Sequence, residues 1–167
     1  MRLSTKGRYA VMAMADLAGQ DRAGRCAETG ECRAVTLAEI AARQQISLPY
    51  LEQLFARLRR AGLVKSVRGP GGGYRLAKPS DETRIAEIVH AVDEPIRATR
   101  CEGNREGRGC MASGEQCLTH GLWDALGREI EGFLYRVTLA DVLERRFEPT
   151  PPASPAASPA SGSQAAA

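Results

Sequence analysis

Residues 68–73 read RGPGGG, with four glycines and a proline in six positions. Such a composition excludes the interior of a helix or a strand and predicts a tight turn. Short runs typical of strands flank it, 63–67 on one side and 74–77 on the other. The sequence therefore predicts a two-stranded hairpin, and the hairpin limits which folds the preceding segments can form.

Three helical patterns precede the hairpin, at 4–19, 36–44 and 47–62. Ser4, Ser47 and a capping box of Thr36 with Glu39 predict where the helices begin, and Gly19 and Gly62 are expected to end the first and the third. The third helix has an apolar face at positions i, i+3, i+4 and i+7, formed by Leu51, Leu54, Phe55 and Leu58. Three helices followed by a hairpin are typical of a winged helix-turn-helix.

A fourth helix is predicted from Ile85 to Val92, and a long helix follows from Leu118. The apolar stripe of the long helix consists of Leu122, Leu126, Ile130, Phe133, Leu134 and Val137. This stripe is longer than so small a domain needs, so a symmetric dimer is expected to cover it. A second capping box, Thr138 with Asp141, predicts a last short helix.

The predicted fold class is therefore mainly α: a winged helix-turn-helix DNA-binding domain with a long C-terminal dimerisation helix. Residues 1–80 are assigned to the DNA-binding domain and 81–147 to the dimerisation helices and the cysteine-containing loop between them. Residues 148–167 are rich in Pro, Ala and Ser and carry almost no charge, so we expect a disordered tail.

Charge divides the chain unevenly. Residues 47–78 carry seven basic side chains and a single acid, whereas residues 79–148 carry nine basic and fourteen acidic ones. A basic segment beside an acidic one is typical of a nucleic-acid-binding protein with a separate regulatory half, although a solvated Arg-rich helix gives a similar pattern. No apolar run approaches the roughly 20 residues of a membrane span, so no membrane contact and a cytoplasmic location are expected.

The third helix is the expected recognition helix, because its outward face is polar and basic. Gln53 can bond adenine bidentately, and Glu52 can accept from cytosine N4, although an ordinary solvated glutamate is the alternative. In the turn, Arg68 is placed to enter a minor groove, where the Gly69 backbone allows close approach. The predicted DNA-binding residues are Ser47, Tyr50, Glu52, Gln53, Arg57, Arg59, Arg68 and Gly69.

Three cysteines and a histidine lie within twenty residues between the fourth helix and the long helix: Cys101, Cys110, Cys117 and His120. Gaps of eight, six and two residues fit a structural zinc site poorly, because such sites usually open with a closely spaced pair. Wide gaps suit thiolates that surround a larger inorganic core, so an iron–sulfur centre is favoured over zinc, although three thiolates with one imidazole are an unusual set for a 2Fe-2S cluster. Histidine is an unusual and weaker ligand, which favours a sensor over an electron carrier.

The other two cysteines, Cys26 and Cys32, lie in a polar segment after the first helix. They are expected to be surface thiols, with a second metal or redox pair as the alternative. His90 lies off the apolar face of the fourth helix and is expected to be in solvent.

Four motifs together resemble the family of iron–sulfur cluster assembly regulators of the IscR type. They are MRLSTKGRYA at 1–10, ISLPYLEQLF at 46–55, SVRGPGGGY at 66–74 and CLTHGLW at 117–123. The resemblance implies a homodimeric transcription factor that holds one 2Fe-2S cluster per protomer through the three cysteines and His120. It also implies control of cluster-assembly genes, with the holo form repressing the assembly operon. In the family Glu52, Gln53 and Arg68 touch the operator, and Glu52 is associated with how apo and holo forms distinguish two operator classes.

Two other functions are also consistent with the sequence. A nitric-oxide- or iron-responsive regulator of the same fold is one, although the nitric-oxide branch lacks the Cys-x-x-His pair. The rival from another class is an iron–sulfur carrier or scaffold that does not bind DNA. An enzyme is not expected, because no Ser–His–Asp set, nucleotide loop or paired carboxylates accompany the cysteines. A double-stranded DNA operator, a second copy of the chain and the cluster-assembly machinery are the expected partners.

Overall fold

The computed structural model describes residues 5–22, 34–69, 71–92, 111, 113 and 115–147. These residues form six helices and a two-stranded sheet. In chain order the elements are α1 (Thr5–Arg22), α2 (Leu37–Gln44), α3 (Leu48–Arg60), β1 (Val64–Val67), β2 (Gly73–Leu76), α4 (Ile85–Ala91), α5 (His120–Arg136) and α6 (Leu139–Glu144). The mainly α, winged helix-turn-helix prediction is confirmed.

Local residues define where α2 begins and ends and where α3 begins. The Thr36 hydroxyl accepts from the Glu39 backbone N–H at 3.2 Å, and the Glu39 carboxylate accepts from the Thr36 N–H at 2.8 Å. At the other end of α2, Gln45 adopts a left-handed conformation with φ 53° and stops the helix. Ser47 is the N-cap residue of α3, as predicted, but its side chain makes no capping hydrogen bond.

The predicted end of α1 at Gly19 is also wrong, because the helix continues to Arg22. Glycine costs a helix interior only about 0.5–1 kcal/mol, which tertiary packing readily offsets. Leu143 of α6 packs against this point, and a Cβ built at Gly19 would meet its Cδ2 at an ordinary 3.6 Å. Packing of α6 against α1 therefore overrides the local stop signal.

One hydrophobic core joins α1, α3, α4 and α6. The predicted apolar face of α3 is fully inside it, with Leu51, Leu54, Phe55 and Leu58 each at most 2% exposed. From α1 the core receives Met14, Leu17 and Ala18, and from α4 Ile85, Ile88 and Val89. The recognition helix is thus held by its apolar side, and its polar side faces outward.

The hairpin β1–β2 is antiparallel, with Val64 opposite Leu76 and Val67 opposite Gly73. It is attached to the body by Val35, which exchanges two backbone hydrogen bonds with Tyr74, 2.7 and 3.0 Å long. The Tyr74 ring also packs edge-on against Phe55 with centroids 4.9 Å apart. The wing therefore keeps a defined position relative to α3.

The second capping box is present as predicted. The Thr138 hydroxyl accepts from the Asp141 N–H, and the Asp141 carboxylate accepts from the Thr138 N–H at 2.9 Å. Hydrogen bonds from the Thr138 side chain and backbone hold the pKa of Asp141 below its ordinary value. Backbone bonds from Ile85 to the Val137 carbonyl and from Leu139 to the Thr83 carbonyl fasten this corner to the start of α4.

We expect Gly73→Ala to lower the free energy of unfolding, because a Cβ at this position would collide with the Val35 carbonyl oxygen. Backbone cannot move aside without breaking the Val35–Tyr74 pair. Gly19→Ala is the matched control and should stabilise the protein by about 0.5–1 kcal/mol. Urea unfolding of both variants tests this; a Gly73→Ala protein as stable as the unchanged chain would contradict it.

Candidate nucleic-acid interface and metal ligands

The outward face of α3 carries most of the predicted contact residues. Ser47, Glu52, Gln53 and Arg59 are exposed, as is Arg60. Tyr50 is half-buried, and its ring packs edge-on against Tyr9 of α1 with centroids 6.0 Å apart. Because α3 presents a polar, amide-bearing and basic surface opposite its buried face, it has the chemistry of a major-groove recognition helix.

Arg57 lies differently from the other arginines of α3. Its side chain is half-buried, and its Nη1 donates a hydrogen bond to the Val92 carbonyl at 3.2 Å. Val92 caps the C-terminal end of α4, where the backbone carbonyls carry partial negative charge and attract a guanidinium. The structure therefore places this predicted DNA-binding residue against a neighbouring helix.

Arg68 and Gly69 occupy the exposed end of the hairpin, with Gly69 at φ 106°. Lys65 is a further exposed base that the sequence prediction missed. It lies on β1 directly opposite Arg75 of β2. Only the strand alternation around position 65 could have indicated it, and that signal is weak in a four-residue strand.

The exposed charges of α3 and the wing are mostly positive. Arg59, Arg60, Lys65 and Arg68 are all exposed, and Glu52 is the acid among residues 47–78. Exposed arginines and lysines suit contact with DNA phosphates, which supply most of the salt-dependent affinity for DNA. A carboxylate in this setting repels phosphate, so its place at the exposed face favours a role in base discrimination.

Two of the four predicted ligands fall among the described residues, and the structure brings these two together. His120 is the first residue of α5, and its backbone N–H donates to the Cys117 carbonyl at 2.9 Å. Both side chains are half-buried, and the Cys117 Sγ lies 3.8 Å from the Thr119 hydroxyl. One turn at a helix N-terminus thus carries a thiol and an imidazole.

This donor set fits an iron–sulfur cluster as far as the structure extends. Thiolate is the usual iron ligand in such clusters and imidazole replaces it in some, and the positive end of a helix favours an anionic thiolate. Cys101 and Cys110 lie outside the described residues, as do Cys26, Cys32 and the segment 148–167. Within the described part of the chain, no group of three or more His, Cys, Asp or Glu residues is placed to hold a metal ion. Cys117 and His120 are only two of the four proposed ligands, so they do not form such a group by themselves.

His90 of α4 is partly exposed, as expected, but it is not simply in solvent. Its Nδ1 lies 3.4 Å from the Tyr135 hydroxyl, and its Nε2 lies 3.4 Å from a Glu131 carboxylate oxygen. Both partners belong to α5. Sequence reasoning missed this contact because nothing local pairs position 90 with α5.

None of the helices in the described ranges is long and apolar enough to cross a membrane.

Comparison with known proteins places the chain in a family. The model of the Rrf2 family, described as iron-dependent transcriptional regulators, matches residues 3–145. The chain is 47% identical to the HTH-type transcriptional regulator IscR of Cereibacter sphaeroides over 151 residues, 90% of this chain and 92% of that protein. It is 50% identical to the IscR of Serratia proteamaculans over 146 residues, 87% of this chain and 81% of that protein.

Solved structures agree. The fold matches IscR of T. potens with a TM-score of 0.64 and 37% identity, covering 90% of this chain and 94% of that one. It matches CymR, the global cysteine regulator of B. subtilis, with a TM-score of 0.68 and 30% identity, covering 88% and 99%. The chain is therefore a DNA-binding transcriptional regulator that belongs to the Rrf2 family and is of the IscR type.

Proposed function

We propose that this chain senses iron–sulfur cluster status and controls cluster-assembly genes, mainly as a repressor. The proposed cluster is of the 2Fe-2S type, and the proposed ligands are Cys101, Cys110, Cys117 and His120. The observation that carries the proposal is the single turn that places Cys117 and His120 together at the start of α5, in a chain of the iron-dependent regulator family.

When bound, the cluster supplies a group that can be lost or oxidised, so its presence reports on supply and demand. His120 makes that loss easier, because a neutral imidazole donates less charge than a thiolate and binds a metal only when deprotonated. Cys117 and His120 are both half-buried rather than sealed in the core, so solvent can reach the ligands. Such exposure suits a sensor.

We also propose that the chain works as a homodimer through α5. None of the described α5 residues is buried, and Leu122, Trp123 and Leu126 are 63%, 42% and 38% exposed. Beside the helix lies an open apolar groove of about 330 Å³. Its lining includes Val11, Met12, Ile85, Val89 and Leu134. A second copy of α5 offers the apolar, helical surface that such a groove accommodates.

In a dimer two recognition helices are presented to one operator. We propose that Gln53 and Glu52 contact bases, that Ser47, Tyr50 and Arg59 hold α3 on the DNA backbone, and that Arg68 with Gly69 enters a minor groove. Arg57 supports α3 from the side of α4, through its bond to the Val92 carbonyl. Residues 1–80 then read DNA, and 81–147 bind the cluster and dimerise. Residues 148–167 form a tail.

The proposed setting is the cytoplasm, where thiols stay reduced and can ligate iron. The cluster-assembly machinery is the proposed source of the cluster. The relatives are transcriptional regulators, and the proposed role is regulatory, with no catalytic residues.

Protein purified without oxygen is expected to be coloured, with visible absorption from thiolate-to-iron charge transfer and about two irons per chain. Cys117→Ala should abolish the colour, because it removes a thiolate ligand. His120→Ala should only make the colour fade faster, because it removes the weaker imidazole ligand. Cys26→Ala is the control and should keep both colour and iron. Colourless, iron-free wild-type protein would contradict the proposed cluster.

Gln53→Ala is expected to weaken binding to the selected operator about 5- to 150-fold, the equivalent of one lost bidentate base contact, and to leave non-specific binding unchanged. Arg59→Ala should weaken both and lower the salt slope by about one. Fluorescence anisotropy titrations at several salt concentrations measure these values. A carrier that does not read DNA would show neither effect.

Leu126→Glu should shift the protein from dimer to monomer in sedimentation equilibrium, because it places a charge in the apolar stripe of α5. Arg128→Glu is the matched control, since Arg128 is more exposed and lies on the opposite face of the helix. An unchanged association constant for Leu126→Glu would show that α5 does not form the interface.

A further inference from the structure

The C-terminal end of α4 lies between the recognition helix and α5. On one side Arg57 of α3 donates to the Val92 carbonyl at 3.2 Å. On the other side His90 contacts Tyr135 and Glu131 of α5, each at 3.4 Å. We call these five residues the α4 junction.

Arg57 is suited to hold α3 against α4. It is half-buried, whereas Arg59 and Arg60 on the same helix are exposed. Its partner is a carbonyl at a helix C-terminus, where the backbone dipoles favour a cation. Its sequence neighbour Leu58 is buried and Ala56 is half-buried. Arg57 therefore lies at the edge of the core rather than at the centre of the exposed face of α3.

His90 holds the same end of α4 against α5. Its ring lies edge-on to the Tyr135 ring, with centroids 5.8 Å apart and an interplanar angle of 73°. Both ring nitrogens therefore face α5, one toward a hydroxyl and one toward a carboxylate. Each contact is partly exposed and weak by itself, so the significance of the junction lies in what it connects.

The junction connects both ligand-bearing segments to α3. After Val92 the chain continues to Cys101 and Cys110, and α5 begins at His120. A ligand bound by the residues after Val92 would restrain α4, and one bound at the start of α5 would restrain α5. Both helices are packed, rigid elements. Coupling between distant sites is carried by such packed elements and polar contacts, and its physical proof is a measured interaction energy.

We propose that the α4 junction couples the ligand-bearing half of the chain to the placement of the recognition helix, and that Arg57 is a positioning residue within it. Arg57 acts through the Val92 carbonyl and sets how α3 is presented to DNA. The inference rests on the proposed function, because it concerns how cluster occupancy reaches the operator.

The test uses full-length protein and an operator selected from random DNA by the wild-type, cluster-loaded dimer. Affinities are measured for loaded protein and for the same preparation after chelator treatment. Arg57→Gln and Tyr135→Phe should bring the loaded-to-empty affinity ratio at least twofold closer to one. Arg59→Gln, the matched control, should weaken both forms equally and leave the ratio unchanged.

A second measurement needs no cluster. In cluster-free protein the double variant Arg57→Gln/Tyr135→Phe should deviate from the product of the single effects on operator affinity by about two- to thirtyfold. The two side chains belong to different helices, and each contacts α4 separately. Independent surface residues would give additive effects.

The outcomes separate the two proposals. If wild-type protein binds the operator equally with and without cluster, the proposed function fails and the coupling with it. If the wild-type ratio differs from one but Arg57→Gln preserves it and lowers the salt slope by about one, Arg57 is a phosphate contact and the inference alone is overturned. If Arg57→Gln unfolds, Tyr135→Phe, which removes one hydroxyl, decides the question by the same ratio.

Discussion

Phe55 and the leucines of α3 leave water by packing among α1, α4 and the wing, and the rest of the molecule depends on this burial. Each such side chain contributes about 1.5–3 kcal/mol when it becomes fully buried. Because the apolar face is fixed inward, helical geometry turns Glu52, Gln53 and Arg59 outward. The edge-on contact between Phe55 and Tyr74 also holds the wing at a fixed position relative to α3.

The two C-terminal helices differ in how much of their surface is buried. α5 presents a row of apolar side chains to solvent, and few of its residues pack against the core. In α6, by contrast, Leu139 is fully buried, and the Thr138–Asp141 capping box defines where the helix begins. The two ends of α5 therefore have different surroundings. Its C-terminal end is attached to the DNA-binding body, and its N-terminal end bears the thiol and imidazole of the proposed cluster site.

The fold occurs in regulators of more than one description. The structure matches both an IscR and a regulator described as controlling cysteine, at similar TM-scores. A winged helix with a protruding helix therefore does not by itself determine what is sensed, since function resides in sites placed on a fold. In this chain the residues that support the proposed cluster are Cys117 and His120 in one short turn, and Cys101 and Cys110 precede them in the sequence.

The sequence by itself determined the features set by near neighbours: two capping boxes, the spacing of apolar residues on α3, and a glycine turn between two strands. The donor atoms that predict a cluster also follow from residue type alone. Only the tertiary structure decided that α1 continues past Gly19, that α5 stays uncovered in one chain, and that Arg57 turns toward a carbonyl 35 residues away. Local signals act over about one helical turn, whereas the direction of a long side chain depends on elements that meet it only after the chain has folded.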